Sequence, residues 1–224
     1  MDLMKLYFEW DVPNWSRSYE VWRDYIPSGR ARCLEIGARR GGLSLMLAMN
    51  GNFVVCSDLE SPETVAYKSH KRFEYSGQIH YKALDVHNIG LQNEFDVIIF
   101  KSVLGGVARR NDIKLAKSVA QELSKALRPG GLILFAENAS GTFLHRLVRR
   151  VFRRWGNSWS YFTPDEMREI FEDFEFVEFK SIGFLAPFAI GKRMRSLFYL
   201  FDRHFDCFLS DNSKYITTAV LKKK

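Results

Sequence analysis

Cys33-Leu-Glu-Ile-Gly-Ala-Arg-Arg-Gly-Gly-Leu-Ser-Leu-Met-Leu-Ala-Met-Asn-Gly51 is the stretch from which the fold is read. It begins as a buried strand, passes through a glycine turn and continues as a helix. Glu35 closes the strand, and Gly37, Gly41 and Gly42 let backbone approach a ligand. Leu43, Met46 and Leu47 recur at helical spacing until Gly51 ends the helix. A glycine turn that opens a helix suits a nucleotide-like cofactor, because free N–H groups and the helix dipole point at it.

Working outward, strands and helices alternate. Residues 53–58 form a short apolar run ending in Asp58, and Ser61-Pro-Glu63 predicts a helix start with Ser61 as N-cap. Residues 79–83 predict a third strand ending near Asp85, and 95–100 a fourth, too apolar to have a solvent face. From Asp112 the positions Ile113, Ala116, Val119, Ala120, Leu123 and Leu127 follow helical spacing, and Arg128-Pro-Gly-Gly131 stops that helix before a strand at 132–136. Thr163-Pro-Asp-Glu166 is a capping-box start for a helix to about Phe171. Strand-like runs follow around Phe174, Phe176 and Phe179, and at 215–221. This alternation predicts an α/β, three-layer, doubly wound sheet whose ligands lie beyond the carboxyl ends of the strands.

The chain of 224 residues, 46% hydrophobic and 15% aromatic, suffices for one sizeable core, so a single domain over 1–224 is expected. Residues 1–30 predict a helical lead-in, in which Trp15, Tyr19, Trp22 and Tyr25 or Ile26 follow helical spacing and read as an amphipathic helix packing on the fold or as a substrate lid. Asp2, Glu9 and Asp11 break any signal-peptide pattern, and no run is long enough to span a bilayer. Cys33, Cys56 and Cys207 are far apart in sequence, which favours free thiols and a cytoplasmic setting. The net charge of +7 suits an acidic partner. Lys222, Lys223 and Lys224 read as a solvated tail. Arg146, Arg149, Arg150, Arg153 and Arg154 crowd a basic insertion at 141–160, expected to overhang the site.

A dinucleotide fingerprint, G-x-G-x-x-G, is missing; Glu35-x-Gly37-x-x-x-Gly41-Gly42 stands in its place. Asp58 follows the glycine turn by about twenty residues, the distance at which a strand-end acid meets a ribose diol. Asp85 ends the next strand, placed for an exocyclic amino group. Three acids at successive strand ends around a glycine floor carry more information than any one of them.

With its Cys33–Gly42 segment, the strand ending at Asp58, Asp85-Val86, the fourth strand and Leu127-Arg-Pro-Gly-Gly-Leu132, the chain resembles the class I, seven-stranded, S-adenosylmethionine-dependent methyltransferases over nearly its whole length. The resemblance implies a mostly parallel seven-stranded sheet whose last strand is antiparallel. It implies S-adenosylmethionine as cofactor and S-adenosylhomocysteine as product. It places Gly37, Ala38 and Gly41 under the methionine and ribose, with Glu35 orienting that loop. Asp58 and Leu59 fall at the ribose, Asp85 and Val86 at adenine, and Lys101 and Ser102 also border the cofactor. Lys101-Ser-Val-Leu-Gly-Gly106 matches neither the asparagine-proline pattern of amino methyltransferases nor a metal-binding acid cluster, so no metal is expected. The segments 100–106 and 155–161 are similar to a bacterial subset linked to cell-surface sugar synthesis, which points to a sugar-like hydroxyl.

Such a hydroxyl must lose a proton, and a positioned base contributes roughly 10²- to 10⁴-fold. His145 and Lys101 are the catalytic candidates. His145 reads equally as a helix histidine, and Lys101 equally as half of an ion pair. Glu137 and Asn138 read either as acceptor-site residues or as a helix cap. Trp155, Trp159 and Tyr161 read as an aromatic wall or as core. In a helix from 144 to 155, Leu144, Val148, Val151 and Trp155 share one face, and Arg146, Arg149, Arg150 and Arg153 the other. The basic face suits solvent, a phosphorylated substrate or a membrane surface. The expected acceptor is a small or lipid-linked molecule, and the extended location is peripheral, at the inner membrane face. Two rivals remain: an RNA methyltransferase, against which the lack of a basic-aromatic patch outside 143–161 argues, and a non-catalytic peripheral membrane protein with this fold. The oligomeric state is not legible.

Overall fold

The computed structural model describes residues 2–152 and 159–224. Its strands are β1 (Arg32–Ile36), β2 (Phe53–Asp58), β3 (Ile79–Ala83), β4 (Phe95–Lys101), β5 (Leu127–Asn138), β6 (Phe174–Ile182) and β7 (Ile216–Lys223), joined in the order β3-β2-β1-β4-β5-β7-β6. β1 pairs in parallel with β2 and β4, β2 with β3 and β4 with β5, whereas β7 runs antiparallel between β5 and β6. The expected doubly wound sheet with an antiparallel last strand is therefore present. Its strand order reverses between β1 and β4, which opens a crevice at their carboxyl ends.

Alternate residues of the central strands feed cores on opposite faces of the sheet, because successive side chains of a strand point opposite ways. Ile98 and Phe100 join Phe135 and Leu221 against α7 (Ile113–Ala126) and α9 (Pro164–Ile170). Val97 and Ile99 join Leu134 and Val220 on the other side, where α1 (Leu3–Phe8), α2 (Val12–Trp15), α3 (Arg17–Trp22) and α4 (Gly42–Met49) contribute Phe8, Trp15, Trp22 and Met46. The lead-in consists of short helices, and from Trp15 to Tyr25 it is helical through α3 and the turn Arg23–Tyr25, with Trp15 and Trp22 buried.

Local signals set several boundaries as expected. Asp112 caps α7 through Leu115 N, and Thr163 and Glu166 close a capping box on α9. The start of α5 (Glu63–His70) differs: Pro62 occupies the N-cap, not Ser61, and supplies no side-chain acceptor. The C-terminal lysines depart in part from the expected solvated tail: Lys222 and Lys224 are exposed, and Lys223 is half-buried. Lys222 and Lys223 belong to β7, where Lys223 Nζ donates to Leu127 O at 2.7 Å, and Lys224 Nζ donates to Glu172 O at 3.0 Å. Unsatisfied carbonyls where α7 meets β5 and where α9 runs into β6 draw those ammonium groups in.

The remaining helices stand near the carboxyl edge of the sheet: α6 (Leu104–Val107), α8 (Phe143–Phe152) and α10 (Gly191–Phe205). β5 and β6 both end at that edge, since Asn138 and Ile182 flank Ile216 of β7. The segment 183–215, including α10, therefore joins β6 to β7 on the side where the crevice opens. Cys33 and Cys56 are buried free thiols, and Cys207 is exposed.

Candidate active site

A cleft of about 1000 Å³ occupies the switch point. Its floor is the glycine turn. Glu35, buried at the end of β1, reaches across that turn and accepts from Ser44 N at 2.7 Å and from Ser44 Oγ. This ties strand to helix and holds the intervening loop. Ala38 N donates to Ser57 O at 2.9 Å, and Gly41 O accepts from His70 Nε2 at 2.8 Å. Gly41 sits at φ +69°, and a Cβ there would lie 2.5 Å from the His70 ring; a Cβ on Gly42 would lie 2.3 Å from Leu6 O. Glycine is required at one position by backbone and ring, and at the other by the close passage of α1.

The acids expected around this floor line the cleft together with Gly37, Ala38, Leu59, Val86, Lys101 and Ser102. Asp58 accepts from Arg39 N at 2.9 Å through Oδ2 and from Leu59 N at 2.8 Å through Oδ1, so its carboxylate is held flat with lone pairs left on both oxygens. Asp85 accepts from His87 N at 2.9 Å. Ser102, at φ +56°, donates its N–H to Ala136 O and accepts from Asn138 Nδ2 at 3.0 Å. Gly41 itself is not on the described cleft lining, although its neighbour Gly42 is.

Lys101, at the end of β4, has the least conventional surroundings. Its Nζ is buried and has no hydrogen-bond partner among the described residues. It stands 3.0 Å from the centroid of the Trp10 ring and 5.1 Å from that of Trp15. Burial disfavours the ammonium and brings its pKa down to about 7, against the pull of Glu9 and Glu35. Burial also pushes the carboxyls of Glu35 and Glu137 up to about 7. Glu137 caps the backbone N–H groups of Val103 and Leu104 with Oε1, not the helix that follows it, while its Oε2 is buried without a partner among the described residues. Asn138 reaches the cleft.

His145 does not join this group. It is fully buried on α8 and absent from the described lining of the cleft. Thr142 N donates to Nδ1 at 3.1 Å, so the other nitrogen carries the proton and donates to Phe184 O at 2.7 Å. Burial lowers its pKa, which keeps the ring neutral. Neither nitrogen is open to an acceptor; the ring packs against Phe184, Phe188 and Tyr215 and latches α8 to the segment after β6.

The faces of α8 also differ from expectation. Arg149 is buried, donates to Ala139 O at 2.8 Å and Ser140 O at 3.0 Å, and lies 4.1 Å over the Tyr161 ring, whereas Phe143, Leu144 and Leu147 are exposed. The carbonyls left where β5 ends outbid solvent for the guanidinium. Trp159 and Tyr161 line the cleft; Arg153, Arg154 and Trp155 lie outside the described residues. Sequence reasoning missed Trp10, Ser44 and His70. Their roles depend on contacts across long separations, and no local spacing announces them.

Residues 34–135 match a family model described as a methyltransferase domain. Among solved structures the fold is similar to the [4+2]-cyclase SpnF (TM-score 0.66, 13% identity, covering 93% of this chain and 80% of that one). It is similar to a SAM-dependent methyltransferase from Methanosarcina mazei (TM-score 0.65, 16% identity, 90% and 96% covered). It is also similar to the N-methyltransferase NodS from Bradyrhizobium japonicum, solved with S-adenosyl-l-homocysteine (TM-score 0.59, 19% identity, 93% and 86% covered). No curated protein sequence matches the chain. At these identities the likeness establishes the fold, and a cyclase among the similar structures keeps fold and chemistry apart.

Proposed function

We infer, for a chain that carries a methyltransferase domain over residues 34–135, that it moves a methyl group from S-adenosylmethionine to a hydroxyl oxygen of a small or lipid-linked acceptor such as a sugar. The observation that carries this reading is Lys101, which lines the same cleft as Asp58 and Asp85 while its Nζ, under the Trp10 ring, has no hydrogen-bond partner among the described residues; an acceptor hydroxyl reaches that Nζ when the ring moves aside. An amine with a pKa near 7 is half neutral at neutral pH and can accept a hydroxyl proton at Nζ.

The donor set fits the cofactor. Asp58 keeps one free acceptor site on each oxygen for a ribose diol, and Asp85 and Val86 border the place for a base. Gly37, Ala38 and Gly42 shape the floor, Gly41 turns the backbone behind it, Glu35 holds it through Ser44, and Leu59 and Ser102 flank it. When bound, S-adenosylmethionine supplies an electrophilic methyl group. The chain's part is to hold the acceptor in line, exclude water with Trp10, Trp159 and Tyr161, and take the proton on Lys101. The similar structures include N-methyltransferases, one named for phosphoethanolamine from Haemonchus contortus. A hydroxyl acceptor is read here beside the base that Lys101 offers, because a neutral hydroxyl is a poor nucleophile until its proton is taken.

Titration calorimetry with S-adenosylhomocysteine tests the cofactor assignment. Wild type binds, and Asp58→Ala weakens binding at least about tenfold, the loss of one charge-assisted contact to a diol. Silence from the wild type, or equal affinity in the variant, overturns the assignment.

A further inference from the structure

The outward faces of α8 and α10 are apolar and cationic at once. On α10, Met194, Leu197, Phe201 and Phe205 recur every three or four residues and are all exposed, Leu197 by 64%. The Phe201 and Phe205 rings stack at 4.2 Å, and Phe205 continues to Phe208 at 6.3 Å, so the stripe is continuous. On α8, Phe143, Leu144 and Leu147 form a second exposed apolar row. Both helices pack against the short turn Ala186–Phe188, which makes them neighbours in the fold.

The inward faces of the same helices carry engaged polar side chains beside the half-buried Val148, Phe198 and Tyr199. Asp202 of α10 is buried and accepts from Asn14 Nδ2 at 2.9 Å and Leu185 N at 2.7 Å. Arg149 and His145 of α8 are committed to backbone carbonyls. The apolar rows are therefore outward by construction: the polar side of each helix is what fastens it to the fold. Such a large outward apolar surface signals an interaction site.

Charge selects the occupant. Arg146 and Arg150 on α8 and Arg193 on α10 are exposed and pair with no acid among the described residues. α8 contains no acid, and the one acid of α10, Asp202, points inward. A second copy of this chain would bring the same cations to the same face. Anionic lipid headgroups complement them, while acyl chains accept the phenylalanines and leucines. No helix among the described residues is long and apolar enough to cross a membrane, and α10, about 22 Å long, suits a position in the plane of the interface.

We propose that the α8/α10 face seats the protein on an anionic lipid surface, with the cleft at the lipid–water boundary so that a lipid-anchored acceptor reaches it without leaving the membrane. The geometry supports the second half: α8 stands directly after β5, and its Arg149 covers Tyr161, a residue of the cleft wall. That half rests on the lipid-linked acceptor proposed above; the docking itself does not.

Flotation with phosphatidylglycerol/phosphatidylcholine vesicles and with pure phosphatidylcholine vesicles tests it. Wild type floats with the first and not the second, and Leu197→Glu/Phe201→Glu lowers partitioning at least about tenfold. Arg150→Glu/Arg193→Glu lowers it by about 25-fold or more, at about fivefold per lost cation. Circular dichroism and S-adenosylhomocysteine affinity stay at wild-type values in both variants, so a docking failure is separated from a cofactor failure. Three results overturn the proposal: no flotation on anionic vesicles, equal flotation of the variants, or a wild-type dimer in sedimentation that Leu197→Glu/Phe201→Glu dissolves.

Discussion

Replacing Lys101 by methionine is expected to make the protein more stable at pH 6. The ammonium titrates near 7 in the fold against 10.5 as its ordinary value. Below pH 7 it is charged in both folded and unfolded chains, and the whole desolvation penalty is present. Between pH 7 and 10.5 the folded chain has released the proton and the unfolded chain has not, so wild-type stability climbs with pH. At 1.36 kcal/mol per unit the penalty has a ceiling of about 5 kcal/mol. Several effects reduce the gain: the cation–π contact with Trp10 offsets about 1–2 kcal/mol, methionine recovers part of that through its sulfur, and the partly exposed stem lets solvent screen the charge. Glu35 and Glu137, pushed up to about 7, are largely protonated at pH 6, so the substitution leaves no buried carboxylate stranded there. The expected net is a gain of about 1–3 kcal/mol, or a melting temperature higher by about 3–10 °C. Scanning calorimetry at pH 6 and pH 9 checks it, and the advantage should shrink by more than half at pH 9. A lower melting temperature at pH 6, or a difference indifferent to pH, would refute the reasoning that Lys101 is held at a cost.

Asp202→Ala removes the acceptor of the Asn14, Leu185 and Ala186 donors and should destabilise the fold by about 3–5 kcal/mol, with Asp202→Asn recovering part; urea unfolding curves measure both. Gly42→Ala places a methyl 2.3 Å from Leu6 O, so α1 must move off α4 at a cost of about 1–3 kcal/mol. Faster chymotryptic cleavage at Tyr7 or Phe8 should report it, and an unchanged cleavage rate would show that α1 tolerates the methyl in place.

Much of the sheet was legible because its signals are local. The apolar run of β4 has no solvent face, and Asp112, Thr163 and Glu166 are caps whose partners lie three residues away. The acids at the ends of β2 and β3 were legible for a related reason: a parallel strand between helices puts its last residue at the edge where ligands bind. What escaped depends on distant partners. Arg149 turns inward because of carbonyls that β5 leaves exposed, and the amphipathic pattern alone assigned it to the opposite face. Lys101 meets a tryptophan from the lead-in, ninety-one positions earlier in the numbering, which no spacing rule connects. α10 carries a helical apolar stripe in plain view, yet a stripe normally marks a buried face, and here one aspartate anchors the helix while the stripe faces out.

The position of β7 sets a timetable. A ribosome completes β5, then β6, and only some thirty residues later the strand that lies between them. Until Ile216–Lys223 has been made, β6 has no neighbour to pair with, and β5 presents an open parallel edge. The five strands from β3 to β5, with the cofactor floor and Lys101, can assemble while the chain is still growing. The α8/α10 side cannot: Tyr215, which meets the His145 ring and Asn14, arrives immediately before β7. The half of the molecule that carries the cleft floor is thus free to form early, and the half proposed to meet the membrane is closed last, by a single strand sliding into a waiting gap.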